Sequence, residues 1–169
     1  MMSTEIRISG IIEESIVDGP GIRYVVFAQG CSHNCPGCHN PETHSFSAGR
    51  IVEIEAIIED IKKNPLLDGI TLSGGEPFEQ SEGFAELASA AKKAGMHVMT
   101  YTGFRYEEIV QNLSKVGWKA LLSATDLLVD GPFEIDKRSL MLKFRGSKNQ
   151  RIIDVRRSLQ QGEVIIAEI

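Results

Sequence analysis

At 169 residues, 42% hydrophobic and 24% charged, the chain has the length and composition of a single globular domain with a sizeable core, expected over residues 1–169. A net charge of −5 gives no electrostatic footprint for nucleic acid or an anionic membrane surface, and the longest apolar runs fall far short of a bilayer span. The first residues lack the basic and apolar regions of a signal peptide, and three cysteines confined to one stretch make no secreted disulfide framework, so a cytoplasmic protein with reduced thiols is expected.

Residues 5–13 alternate loosely through Ile6, Ile8, Ile11 and Ile12 and read as an opening strand. Asp18-Gly19-Pro20-Gly21 is a turn. Residues 22–28, β-branched and aromatic, predict a buried strand that runs into Gln29-Gly30 and the cysteine stretch. The loop continues to Gly49, too polar for regular structure. Residues 51–63 place apolar side chains at 54, 57, 58 and 61, with acids early and lysines late. They predict an amphipathic helix, stopped by Asn64-Pro65. A strand over 69–72, a helix over 82–94 closed by Gly95, a strand over 96–101, a helix over 106–116 and a strand over 124–129 follow. Beyond them 140–144, 150–155 and 163–166 are strand candidates, and Trp118 reads as core.

Strands and helices alternate from 22 to 129 with short connections, which predicts an α/β fold of parallel βαβ units with right-handed crossovers. A closed eight-fold barrel takes about 250 residues, so this chain has length for a partial one. Ligands of such folds sit at the carboxyl ends of the strands. Here the four strands exit into the cysteines, into Ser73-Gly74-Gly75-Glu76-Pro77, into Tyr101-Thr102-Gly103 and into Asp130-Gly131-Pro132. Gly74 and Gly75 let a ligand approach the backbone, Glu76 and Asp130 can bind an ammonium or a ribose hydroxyl, and Thr102 supplies a hydroxyl. The plain alternatives are a βα turn for the glycines, a helix start for Glu76 and a capped turn for Asp130.

All three cysteines lie in Cys31-Ser32-His33-Asn34-Cys35-Pro36-Gly37-Cys38-His39-Asn40, spaced C-x3-C-x2-C. Thiols so placed can meet at one metal centre, yet a closed zinc site or an ordinary cubane takes four protein ligands. Either His33 or His39 completes a Cys3His zinc knuckle, or one metal position stays open for a substrate. The usual zinc spacings do not occur. Cys35-Pro36-Gly37-Cys38 also has the redox C-x-x-C pattern, which leaves Cys31 unexplained. His44 and His97 read as surface or packing residues.

With these motifs the chain resembles the radical S-adenosylmethionine (SAM) enzymes, whose cluster motif is C-x3-C-x2-C and whose methionine-binding motif is similar to Gly74-Gly75-Glu76. Asp18-Gly19-Pro20-Gly21-Ile22-Arg23 and Cys38-His39-Asn40 look like the glycyl-radical-enzyme activases. Val129-Asp130-Gly131-Pro132-Phe133 and Phe144-Arg145-Gly146-Ser147-Lys148-Asn149-Gln150-Arg151 are similar to the branch that activates anaerobic ribonucleoside-triphosphate reductase. The resemblance implies a partial, TIM-like βα barrel of the radical SAM type, with mainly parallel strands. It implies that Cys31, Cys35 and Cys38 ligate three irons of a [4Fe-4S] cluster, and that SAM chelates the fourth. Reductive cleavage of SAM would then give a 5′-deoxyadenosyl radical, which takes a Cα hydrogen from a glycine of the reductase. Gly74, Gly75 and Glu76 would orient the methionine end and backbone around Gly37, Cys38 and His39 the adenine, with Thr102 and Asp130 as ribose or methionine contacts. A flavodoxin-type electron donor and a homodimer are further implications. Gly37 departs from the aromatic residue that many radical enzymes carry before the last cysteine. The alternatives are activation of another glycyl radical enzyme such as pyruvate formate-lyase, and a zinc-stabilised binding module.

Overall fold

The computed structural model describes residues 5–33, 35–38 and 41–169. The elements are β1 (Glu5–Ser15), β2 (Arg23–Ala28), β3 (Arg50–Glu53), α1 (Ile54–Lys62), β4 (Gly69–Gly74), α2 (Ser81–Lys93), β5 (His97–Tyr101), α3 (Tyr106–Val110), α4 (Trp118–Ala124), β6 (Leu127–Asp130), β7 (Arg151–Asp154) and α5 (Val155–Gln161). One open sheet runs in the order β3-β1-β2-β4-β5-β6-β7. Its centre, β2-β4-β5-β6, is parallel, because each crossover carries a helix or a long connection. β1, β3 and β7 are added antiparallel at the flanks. The predicted α/β fold is present as an open sheet, with parallel pairing confined to the four central strands.

Period-two alternation sorts the strand side chains onto two different faces. Tyr24, Val26 and Ala28 of β2, Ile70 and Leu72 of β4, Val98 of β5, Leu128 of β6 and Ile153 of β7 join one apolar core. Helices cover this face through Ile57 and Ile61 of α1, Phe84 and Leu87 of α2, Ile109 of α3 and Leu121 of α4. The opposite parity makes a small cluster of Met99, Leu127, Val129 and Ile152, packed among the described residues by Tyr101, Phe144 and Ala167, none of them in a helix. On that parity Arg23 and Thr71 are also buried. A sheet with helices on one face keeps the other for a ligand.

Arg23 shows how the polar face is held. Its guanidinium donates to Thr71 Oγ1 (2.7 Å), Pro20 O (2.8 Å), Ile70 O (2.8 Å) and His97 O (3.1 Å). Thr71 in turn donates to Asp18 O at 2.8 Å. The Asp-Gly-Pro-Gly turn is thereby fixed to β4 and β5. Burial pulls the Arg23 pKa down to about 10, still far above neutrality.

Several local expectations change. Residues 50–53 are strand, since Ile51 and Val52 pair with Arg7 and Ile6 of β1, and the helix begins only at Ile54. The helix expected over 106–116 stops at Val110, and Gly117 at φ +81° starts α4, a helix whose Trp118, Leu121 and Leu122 are buried. Residues 140–144 are no strand: Leu140 and Met141 are 92% and 93% exposed at the tip of a loop. Of 163–166 only Ile166 bridges, to Ile153. Between them lies α5, capped where the Asp154 carboxylate accepts from Arg157 N–H. Among the described residues no helix is long and apolar enough to cross a membrane.

Candidate functional site

The exits of β2 and β4 are bonded to each other beyond the strands. Gly75 N–H donates to Ala28 O (2.7 Å) and Glu76 N–H to Gly30 O (2.8 Å). A Cβ on Gly74 would stand 2.5 Å from Ala28 N, and one on Gly75 would stand 2.4 Å from Gly30 O. The two glycines are therefore required by the close approach of two backbones, and through it they set the root of the cysteine loop. On the loop's far side Gly30 N–H and Cys31 N–H donate to Thr43 O (2.6 Å) and His44 O (3.2 Å). A turn closes the cysteines themselves, from Cys38 N–H to Cys35 O at 3.1 Å. Gly37 has φ +72°, a left-handed conformation that favours glycine at this position.

Glu76 is fully buried yet well satisfied. Thr102 Oγ1 donates to its carboxylate at 2.9 and 3.0 Å, Gly103 N–H at 2.7 Å and Phe78 N–H at 3.1 Å. His33 Nε2 lies 2.6 Å from Oε1, and its ring packs edge-on against Phe104 with centroids 4.6 Å apart. Burial disfavours the His33 imidazolium, but the hydrogen bond and charge of Glu76 outweigh it and raise the pKa above the ordinary histidine value. Ser32 Oγ donates to Glu79 Oε1 at 2.6 Å. Glu76 and Thr102, expected to face a ligand, are thus brought together and turned toward each other, and the cysteine loop is latched to them by His33.

Asp130 is placed elsewhere. Its carboxylate accepts from Tyr106 N–H (2.8 Å) and from Arg151 Nη2 (2.5 Å) and Nε (3.1 Å). Arg151 also holds Glu107 at 2.6 Å. These partners raise the Arg151 pKa, and Arg151 lowers that of Glu107. Asp130 lines a neighbouring groove with Arg105 and Asn149.

The cysteines line a cavity of about 660 Å³ together with Gly74, Gly75 and Thr102. Among the described residues the three cysteines form no disulfide, and all three are half-buried. Burial pushes the Cys31 thiol up to about 11 and also raises Cys35, so metal binding at neutral pH would release protons. A soft three-thiolate set beside a ligand-sized cavity fits an iron–sulfur cluster with one open position. Among the described residues no three His, Cys, Asp or Glu side chains gather into a single-ion site. Of the two histidines offered for a zinc knuckle, His33 is engaged by Glu76, and His39 lies outside the described residues. Sequence reasoning missed His44, which lines the cavity together with Tyr101, Phe144 and Arg145 from stretches it had singled out. Among the described residues His44 Nε2 is buried without a partner; its nearness to the cysteines in the chain was the available signal.

A family model described as a 4Fe-4S single cluster domain matches residues 17–153. The anaerobic ribonucleoside-triphosphate reductase-activating protein of Salmonella typhi is 34% identical over 149 residues, covering 83% of this chain and 94% of its own. That of Haemophilus influenzae is 32% identical over 145 residues, covering 81% and 90%. The pyruvate formate-lyase-activating enzyme of Clostridium pasteurianum is 37% identical over 119 residues, but the match spans 65% of this chain and half of that enzyme. Among solved structures, QueE from Escherichia coli aligns over 59% of this chain and 53% of its own, with a TM-score of 0.47 and 15% identity.

Proposed function

From the premise that the chain belongs to the 4Fe-4S single cluster family, alongside the anaerobic ribonucleoside-triphosphate reductase-activating proteins, we propose that it is a radical SAM activase of such a reductase. The observation that carries this is one cavity wall built from Cys31, Cys35 and Cys38 together with Gly74, Gly75 and Thr102. Cys31, Cys35 and Cys38 would hold a [4Fe-4S] cluster, and SAM would bind beside it in the cavity. When bound, cluster and SAM supply the reductive cleavage that yields the radical for a glycine of the protein substrate.

The chain's own part is binding and orientation. Backbone at Gly74 and Gly75 takes the methionine end, and backbone around Gly37, Cys38 and His39 takes the adenine. Glu76 acts by holding His33, Thr102 and the Gly103 N–H in place. Thr102 contributes from the cavity wall, and Asp130 acts through Arg151 on the shape of the rim. The cytoplasm suits reduced thiols, a flavodoxin-type protein serves as electron donor, and the activase works as a homodimer. Anaerobic reconstitution should give a brown protein with about four irons and four sulfides per chain. Reduction with SAM should yield 5′-deoxyadenosine. One zinc, no sulfide and no nucleoside cleavage would overturn the assignment.

The 37% identity to a pyruvate formate-lyase-activating enzyme favours a second reading, activation of such a lyase. Against it, the match spans only half of that relative but at least nine-tenths of the reductase activators. EPR of each partner after incubation with the reduced protein separates the two. A glycyl signal on the lyase alone would reverse the choice.

A further inference from the structure

Residues 137–148 form an arm that the cluster site does not account for. An antiparallel bridge between Arg138 and Ser147 closes its base, with Ser139 N–H donating to Gly146 O (3.2 Å) and Lys148 N–H to Lys137 O (2.9 Å). Leu140, Leu142, Phe144 and Arg145 line the cavity, and the Tyr101 hydroxyl holds Phe144 O at 2.6 Å. Phe144 has φ +61°, a backbone conformation that a bulky residue adopts only where its surroundings impose it. The arm is therefore fastened to the cavity wall at one side and projects at the other.

What it projects is unusual. Leu140 and Met141 are the most exposed of the large hydrophobic residues among those described, at 92% and 93%. The same twelve residues carry Lys137, Arg138, Lys143, Arg145 and Lys148 with no Asp or Glu, in a chain whose net charge is −5. Lys137 pairs with Glu134 at 3.3 Å, and Lys143 lies 5.5 Å from the Phe144 ring centroid. Among the described residues Arg138 and Lys148 make no ion pair, and Arg145 Nε is buried without a partner. Fixed backbone that holds two apolar side chains in water among cations of which, within the described residues, only Lys137 is ion-paired describes one half of an interface.

Resting on the proposed function, in which a polypeptide must bring a glycine to this cavity, we propose that the arm is the docking element for that polypeptide. The segment it takes is extended and acidic, with an apolar side chain laid over Leu140 and Met141 and carboxylates against Lys137, Arg138, Lys143 and Lys148. Charge complementarity selects this occupant. Single-stranded nucleic acid is a poorer match, because the arm exposes no aromatic ring on which bases would stack.

The test uses the reconstituted full chain and the intact reductase. Wild-type affinity should fall as salt rises from about 50 to 200 mM. A Lys137→Glu/Arg138→Glu variant should lose about tenfold in affinity or more, mainly in association rate. Met141→Ser should lose about tenfold by faster dissociation. None of these three side chains lines the cavity, so both variants should cleave SAM without the reductase at the wild-type rate and show wild-type far-UV circular dichroism. Variants that cleave SAM normally and bind the reductase as the wild type does would overturn the docking role alone. So would weakened binding confined to single-stranded DNA or phosphatidylserine vesicles. A wild-type chain that cleaves no SAM would overturn the function, and the docking role with it.

Discussion

His33 is a loop residue whose partner lies 43 positions away, and the pair explains more of the site than either residue alone. Glu76 collects hydrogen bonds from Thr102, Gly103, Phe78 and His33. Loss of one donor to a buried carboxylate costs about 1–3 kcal/mol. His33→Ala should therefore lower the stability of the apoprotein by that amount in urea unfolding, and should reduce the iron retained after reconstitution. His33→Gln keeps an N–H donor of similar reach and should recover most of both. Iron retention by the alanine variant equal to wild type would show that the latch does not position the cysteines. Sequence reasoning found Glu76 and Thr102 but aimed both at a ligand. The chain order carries no sign that His33 comes back to them, nor that Asp130 is taken by Arg151, 21 positions on.

At the scale of elements, Arg151 of β7 clasps Asp130 of β6 and Glu107 of α3. The two carboxylates differ in burial, with side chains 1% and 53% exposed, and burial decides their weight. Arg151→Met leaves the Asp130 charge buried and unpaired and should cost about 3–5 kcal/mol. Glu107→Gln removes a surface pair and should cost under about 1 kcal/mol. Urea unfolding of both variants at neutral pH checks the contrast. The Glu107 pKa is depressed in the folded state, so its small contribution is present above the ordinary carboxylate range and fades as pH falls through the depressed value. The four parallel strands and their loaded exits were legible, because β-branched runs ending in glycine and polar clusters are local signals. β3 and the early end of α3 were not. Ile51, three residues before Ile54, fits the helical apolar spacing, and pairing of Ile51 and Val52 with β1 makes them strand. The exposed tip at Leu140 and Met141 likewise follows from where the arm is closed, at Arg138 and Ser147, and not from its apolar composition.

For the whole molecule, the decisive separation is between the sheet and the loop that it carries. None of the three cysteines belongs to either apolar cluster, and β2 ends at Ala28, before the first of them. The root of the loop is held by backbone bonds from Gly75 and Glu76 to Ala28 and Gly30, which need no metal. A small zinc-stabilised module behaves otherwise, since its metal-binding energy is its folding energy. Replacing Cys31, Cys35 and Cys38 together by alanine should therefore abolish iron binding and SAM cleavage. It should leave far-UV circular dichroism and the urea midpoint close to those of the wild-type apoprotein. Partial burial raises the pKa of the Cys31 and Cys35 thiols and favours their protonated form, so their removal exposes no unpaired charge that would cost stability. Unfolding of the triple variant would mean that the metal organises the fold, and would favour the zinc-module alternative. A folded, iron-free variant instead leaves the sheet as a scaffold that stands by itself, with the chemistry confined to the one rim where its parallel strands end.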